Sequence, residues 1–202
     1  MPDPIIETLR DRARHPRATT DTARFPQKAS APLDDPSISR AETTIGFALP
    51  PLLRDAYHLV GDGGFGPGYG LLSLLPGGKS SEESVVELFL AFRSTDPNDA
   101  AWVWPSHLLP FCDWGCAIRS CIDCSTSEGA VLTFDPNVRT VGDPMSSVLA
   151  ETHSSLRAWF SDWIAGVDLW QVMFEPDPAR ATTIENPFTG EAIASVPTRL
   201  RR

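Results

Sequence analysis

The chain has 202 residues, 42% hydrophobic and 21% charged, which suits one globular domain with additions. Its formal charge of −9 is unevenly placed: residues 41–198 carry 20 acidic and 7 basic groups, a composition that repels nucleic acid and favours basic partners. No apolar run is long enough to span a membrane and residues 1–10 lack a secretory-signal pattern, so we expect no membrane association and a cytoplasmic location.

The first 36 residues are predicted to be an N-terminal arm. Ile5, Ile6 and Leu9 share one face of a short helix that runs to about Arg14. Four prolines then interrupt regular structure, and apolar residues are sparse. We therefore expect a solvated extension and leave open that it packs on the edge of the domain.

A helix that ends at a glycine-rich corner is the central predicted feature. Residues 37–60 are predicted to contain helices, the first capped by Ser37 or Ser39. The second should end at Gly61 in the left-handed conformation that glycine adopts most easily. Residues 62–64 then form a tight corner, and Leu71–Leu75 is predicted to begin a strand.

The following residues predict another helix, several short strands and a closing helix. Ser80 or Ser81 should cap a helix over residues 82–93. The closing helix, over residues 152–166, carries two tryptophans and a phenylalanine and should lie across the sheet. The predicted strands, joined by short turns into an antiparallel sheet, are residues 102–104, 108–111, 117–123 and 130–134.

Several short motifs recur in one known family. They are Glu42, Ile45-Gly46, Leu49-Pro50, Tyr57, Asp62-Gly63-Gly64, Leu71-Leu72, Leu109-Pro110-Phe111, Cys121-Ile122-Asp123, Gly129-Ala130-Val131 and Asp135. With these motifs the chain resembles the SUKH superfamily, the Smi/Knr-type domain of bacterial immunity proteins and yeast cell-wall regulators. The likeness covers roughly residues 37–170 and implies an α+β fold, an antiparallel sheet packed against several helices. It implies a non-catalytic protein-binding module, most concretely an immunity-type protein that neutralises a basic toxin domain.

The C-terminal extension, residues 171–202, is predicted to contain a hairpin. A turn around Gly190 separates two β-tolerant runs, Thr182–Ile184 and Ala192–Val196. The hairpin could extend the sheet edge or bind another copy of the chain, which leaves monomer and homodimer open. The alternative function is therefore a regulatory scaffold or self-associating interaction protein.

Chemistry-bearing patterns are few. The glycines at 61–70 follow a helix instead of preceding one, so they do not predict a phosphate loop. No nucleophile, base and orienting group can be assembled from the spacing, and we expect neither an enzyme nor a cofactor. Four cysteines lie at C-x3-C-x4-C-x2-C spacing, too even for the paired pattern of structural zinc sites. A metal-binding module remains the third alternative.

Acidic and aromatic residues in predicted turns provide the candidate partner-binding set. Tryptophan and tyrosine commonly anchor interfaces, and carboxylates would complement a basic partner. The alternative is that the tryptophans pack in the core and the acids only keep the protein soluble. The candidate residues are Asp62, Tyr69, Trp104, Asp113, Trp114, Glu128 and Asp135.

Overall fold

A computed structural model of the chain describes residues 3–15 and 29–174, together with the backbone of two further strands. The helices are α1 (Ile5–Arg14), α2 (Asp35–Ile45), α3 (Pro51–Asp55), α4 (Val85–Arg93), α5 (Leu156–Ala165) and α6 (Leu169–Phe174). The strands are β1 (Gly70–Leu71), β2 (Leu108–Gly115), β3 (Ile118–Asp123), β4 (Val131–Phe134), β5 (Leu149–His153), β6 (Thr182–Glu185) and β7 (Ala192–Ser195).

Strands β1 to β5 form one antiparallel sheet whose spatial order follows the chain. Consecutive antiparallel strands need only short connections. The β2–β3 turn has two residues, Cys116 and Ala117, between the paired Gly115 and Ile118. Both turn residues have positive φ, as two-residue hairpins commonly require. The predicted α+β fold with an antiparallel sheet is confirmed.

Helix α5 closes the core against this sheet. Its first turn is capped by Ser155, whose hydroxyl accepts a hydrogen bond from Ala158 N at 3.2 Å. Trp159 is fully buried and packs edge-on against Phe111 of β2, with 5.1 Å between ring centroids. The prediction of a closing helix is confirmed, but the helix begins at Leu156 instead of residue 152, because the preceding segment forms β5.

The helices predicted over residues 37–60 form with different boundaries. Helix α2 is capped by Asp34, which accepts from Ser37 N at 2.9 Å, so the predicted serine caps are wrong. A π-helical turn, Ala56–Val60, continues α3. Gly61 then has extended backbone, with φ of 169°, instead of the predicted left-handed conformation. Its constraint is close contact, since a Cβ there would lie 2.6 Å from the carbonyl oxygen of Ser30.

Helix α4 starts three residues later than predicted. Ser84 and Glu87 form a reciprocal capping box in which each side chain accepts from the other residue's backbone N–H. The predicted caps Ser80 and Ser81 therefore lie before the helix. Glu82 and Glu83 consequently belong to an exposed loop and not to the first helical turn.

Two predicted strands are shorter or absent. Of Leu71–Leu75 only Leu71 pairs in β1, because the chain turns so that Leu74 N donates to the Asp62 carboxylate at 2.7 Å. Residues 102–104 form no strand. Their two tryptophans instead pack against other aromatic rings, among them Phe134, with centroid distances of 6.2 and 5.0 Å.

The N-terminal helix predicted to run to about Arg14 is present and packs against the domain, so for residues 5–14 the packed alternative holds and the solvated one is wrong. Ile6 and Leu9 are fully buried. The Arg10 guanidinium donates to the Leu59 carbonyl at 3.0 and 3.1 Å and so satisfies an oxygen in the π-helical turn. Residues 16–28 lie outside the described part of the chain.

The predicted C-terminal hairpin is confirmed at the backbone level. Strands β6 and β7 pair antiparallel, with Thr182 opposite Ser195 and Glu185 opposite Ala192. They form a two-stranded sheet separate from the five-stranded one. The connecting residues, 186–191, lie outside the described part of the chain.

Candidate functional site

A groove with a volume of about 500 Å³ opens beside the short strand β1. Residues 69–72 form one wall, and the loop residues 80–83 form the adjoining rim. Asp113 and Arg119, from β2 and β3, face them. We call this concavity the Tyr69 groove.

The groove wall formed by residues 69–72 is held by backbone hydrogen bonds to β2. Tyr69 N donates to the Asp113 carbonyl at 2.8 Å, and Leu72 N donates to the Phe111 carbonyl at 2.9 Å. The Cε2 edge of the Tyr69 ring faces Gly115, where a Cβ would approach Tyr69 Cε2 to 2.7 Å. Glycine at position 115 therefore leaves room for the ring, and about 36% of Tyr69 remains exposed.

Serine hydroxyls hold the rim loop in place. Ser80 Oγ donates to the Asp62 carbonyl at 2.7 Å, and Ser80 N donates to Ser73 Oγ at 3.2 Å. The next residue, Ser81, accepts from Ser73 N at 3.1 Å and donates to the Glu83 carbonyl at 2.6 Å. The two rim glutamates therefore have a fixed backbone and exposed side chains.

The far wall carries an ion pair. Asp113 Oδ1 accepts from the Arg119 guanidinium at 2.5 Å and from Gly115 N at 2.8 Å. The Arg119 side chain is only 11% exposed, so most of it lies within the protein. Charge-assisted bonds of this kind are stronger than neutral ones, and they fix the direction of both side chains.

Asp62 is a structural residue beside the groove. It is 7% exposed, and its carboxylate accepts from Leu74 N at 2.7 Å. Burial raises the pKa of this carboxyl above its ordinary value, although the hydrogen bond from Leu74 N opposes the shift. Asp62 thus connects the glycine corner to the rim and is not available to a partner in this conformation.

Three other predicted contact residues are also buried. Trp104 donates from Nε1 to the Leu108 carbonyl at 2.7 Å, and Trp114 donates from Nε1 to Ser120 Oγ at 2.8 Å. Asp135 caps a short 3-10 turn by accepting from Asn137 N at 3.0 Å. Buried Tyr and Trp side chains usually satisfy their polar atoms inside the protein, as both tryptophans do here. These internal hydrogen bonds account for all three side chains without invoking a binding partner.

The remaining predicted residues are divided between two places. Tyr69 and Asp113 come together in the groove, while Glu128 is exposed and does not line it. Sequence reasoning missed Glu82, Glu83 and Arg119 as groove residues. The two glutamates could have been found from the S-x-x-E capping box at residues 84–87, which places the helix start after them.

The four cysteines differ in environment. Cys112 and Cys121 are buried in the sheet, and burial raises the pKa of both thiols well above the ordinary value. Burial also raises the pKa of Cys124 to about 12, whereas Cys116 is exposed at the β2–β3 turn. Within residues 3–15 and 29–174, no group of three or more His, Cys, Asp or Glu side chains is arranged to hold a metal ion.

The architecture and groove define an α+β domain with a concave acidic surface and a partly exposed aromatic side chain. The sequence profile of the SMI1 / KNR4 family (SUKH-1) matches residues 32–162, and the chain belongs to that family. The resemblance inferred from the sequence is thereby confirmed. No curated protein matches the chain. In the described part of the chain, no helix has both the length and the apolar character needed to cross a bilayer.

Proposed function

We propose that this chain is a non-catalytic protein-binding module that neutralises a basic toxin partner in the manner of an immunity protein. Family membership supports an interaction role. The Tyr69 groove supports a basic partner, because carboxylates and an exposed aromatic ring line it together.

The observation that carries this proposal is the net acidity of the domain that contains the groove. Residues 29–174 contain 18 acidic and 7 basic side chains. A field of this sign raises the association rate of a basic protein and falls with ionic strength. The partner is first captured electrostatically and then anchored on Tyr69. The buried Trp104 and Trp114 take no part in that contact.

Removing the two rim charges should weaken capture of a basic toxin domain. We expect the Glu82→Gln/Glu83→Gln double variant to bind on the order of tenfold more weakly, because exposed interface charges act mainly on association. Surface plasmon resonance at increasing salt measures both rates. We expect wild-type association to slow as salt rises and the double variant to show a smaller salt dependence.

The matched control removes two charges away from the groove. Asp96 and Asp123 each accept a backbone hydrogen bond two residues ahead, from Asn98 and Ser125, and asparagine preserves such turns. The Asp96→Asn/Asp123→Asn variant should therefore bind close to wild type. An equal loss of toxin affinity in both double variants would show that binding depends on overall charge and not on the groove. Toxin binding that does not change with salt would contradict electrostatic capture.

The alternative is self-association through the C-terminal hairpin. The observation that favours it is that β6 and β7 pair only with each other among the described strands, and an isolated two-stranded sheet is marginally stable in water. A chain ending at Phe174 should then be monomeric by light scattering where the full chain is dimeric. An unchanged mass would contradict this alternative, and retained toxin binding by the shortened chain would favour the groove.

A further inference from the structure

Two carboxylates on the groove rim have no partner in the described part of the chain. Glu82 and Glu83 are exposed, and neither side chain accepts a hydrogen bond or forms an ion pair there. The exposed Lys79 precedes the rim but does not line the groove. The rim therefore presents two uncompensated negative charges at a concave surface, where a cation is attracted more strongly than on a flat one.

One guanidinium is already held at this site. Arg119 donates from Nη1 to Asp113 Oδ1, and the same oxygen accepts from Gly115 N. No described group bonds to the second carboxylate oxygen, Oδ2. The groove thus combines a carboxylate whose position is fixed by the protein with free carboxylates on the opposite rim.

Tyr69 supplies a partly exposed aromatic ring in the same groove as these charges. Its ring edge faces Gly115 and its backbone is bonded to β2, so the backbone has little conformational freedom to lose on binding. An exposed aromatic face attracts cations through its quadrupole. A planar guanidinium can stack on such a ring while its N–H groups donate to carboxylates at the edge.

We propose that the Tyr69 groove binds an arginine side chain of the partner, an inference that rests on the proposed function. The guanidinium stacks on the Tyr69 ring, and its N–H groups are directed to Glu82 and Glu83. Lysine fits less well because its ammonium is compact, strongly hydrated and unable to donate in a planar fork. The groove volume of about 500 Å³ also admits the backbone that flanks the arginine.

The test uses three blocked pentapeptides, acetyl-Gly-Gly-X-Gly-Gly-amide, with X as arginine, lysine or the uncharged isostere citrulline. Titration into the ¹⁵N-labelled full chain should give arginine affinity on the order of tenfold above lysine, with citrulline weaker still. The largest changes in amide chemical shift should occur at residues 69–72 and 80–83. Equal affinity for arginine and lysine, or shifts spread over the whole acidic surface, would overturn the inference.

Variants then separate the ring from the charges. Tyr69→Ala should abolish the preference for arginine over lysine and leave a weak, salt-sensitive attraction, whereas Tyr69→Phe should keep the preference. Asp96→Asn/Asp123→Asn should leave both affinities unchanged. Thermal melts check that each variant is folded at the titration temperature, and a Tyr69→Ala variant that keeps the preference would contradict the stacked geometry.

The outcome is separable from that of the proposed function. Toxin capture that depends on Glu82 and Glu83 without a preference for arginine peptides would overturn this inference and leave the proposed function standing. Arginine binding in the groove without toxin capture would overturn the proposed function, while the arginine site itself would still be supported.

Discussion

Replacing Gly63 by alanine should destabilise the domain by about 2–5 kcal/mol, because a left-handed alanine costs about 1–2 kcal/mol and forced overlap adds about 1–3. Gly63 has φ of +73°, and a Cβ there would lie 2.5 Å from the carbonyl oxygen of Leu71. That oxygen cannot move freely, since it accepts from Gly64 N at 2.9 Å. Urea unfolding followed by tryptophan fluorescence measures the change.

Gly77→Ala is the matched control for this substitution. Gly77 also has positive φ, +81°, but nothing lies within 4 Å of the position its Cβ would take. Only the conformational penalty of about 1–2 kcal/mol is therefore expected. Equal destabilisation by the two variants would show that close packing at the Gly63 corner contributes nothing.

Substitutions of Asp62 should separate its hydrogen bond from its charge. Asp62→Ala leaves the buried Leu74 N–H without its acceptor and should cost about 1–3 kcal/mol. Asp62→Asn keeps a carbonyl oxygen for that N–H and removes the buried charge. At pH 7 we expect the asparagine variant to be at least as stable as wild type, as measured by the free energy of unfolding.

The pH dependence gives a second check on Asp62. Burial raises the folded-state pKa of this carboxyl, so the folded protein binds the proton more tightly than the unfolded chain. The resulting stabilisation is fully present below the ordinary carboxyl pKa and is lost as pH rises through the raised value. The stability difference between Asp62→Asn and wild type should therefore shrink on acidification, and a difference that grows would contradict the assignment.

Asp62 and Gly63 support the same part of the molecule. Asp62 bonds to Leu74 N through its side chain and to Ser80 Oγ through its carbonyl, while Gly63 packs against Leu71 and Leu72. The glycine corner is thus the support on which one groove wall and the rim are built. Its residues Asp62 and Gly63 support the groove without lining it.

Several structural features could be predicted from local sequence. The apolar spacing around Trp159 and Trp163 predicted a helix that closes the core, and the short runs between turns predicted the strands β2 to β4. These predictions succeed because helical and strand periodicities are set by the chain's own geometry. Strand β5 was missed, since Leu149–His153 is a half-exposed edge segment with a single buried residue, His153, at its end.

The candidate site was predictable only in part. Tyr69 and Asp113 were proposed because they lie near predicted turns, and both line the groove. Trp104 and Trp114 instead pack in the interior. Composition cannot distinguish these cases, because tryptophan is equally suited to an interface and a core. Which of them occurs depends on contacts such as Trp114 with Ser120, six residues away across the β2–β3 turn.

The sequence by itself determined the family, the α+β class, the acidic balance and the helix–glycine corner, because each depends on residue type and local spacing. Only the tertiary structure decided which acids face solvent together. Glu82 and Glu83 meet Asp113 and Tyr69 because β1 pairs with β2 and serine hydroxyls hold the intervening loop. Such long-range contacts have no local periodicity, and the groove therefore follows from the fold.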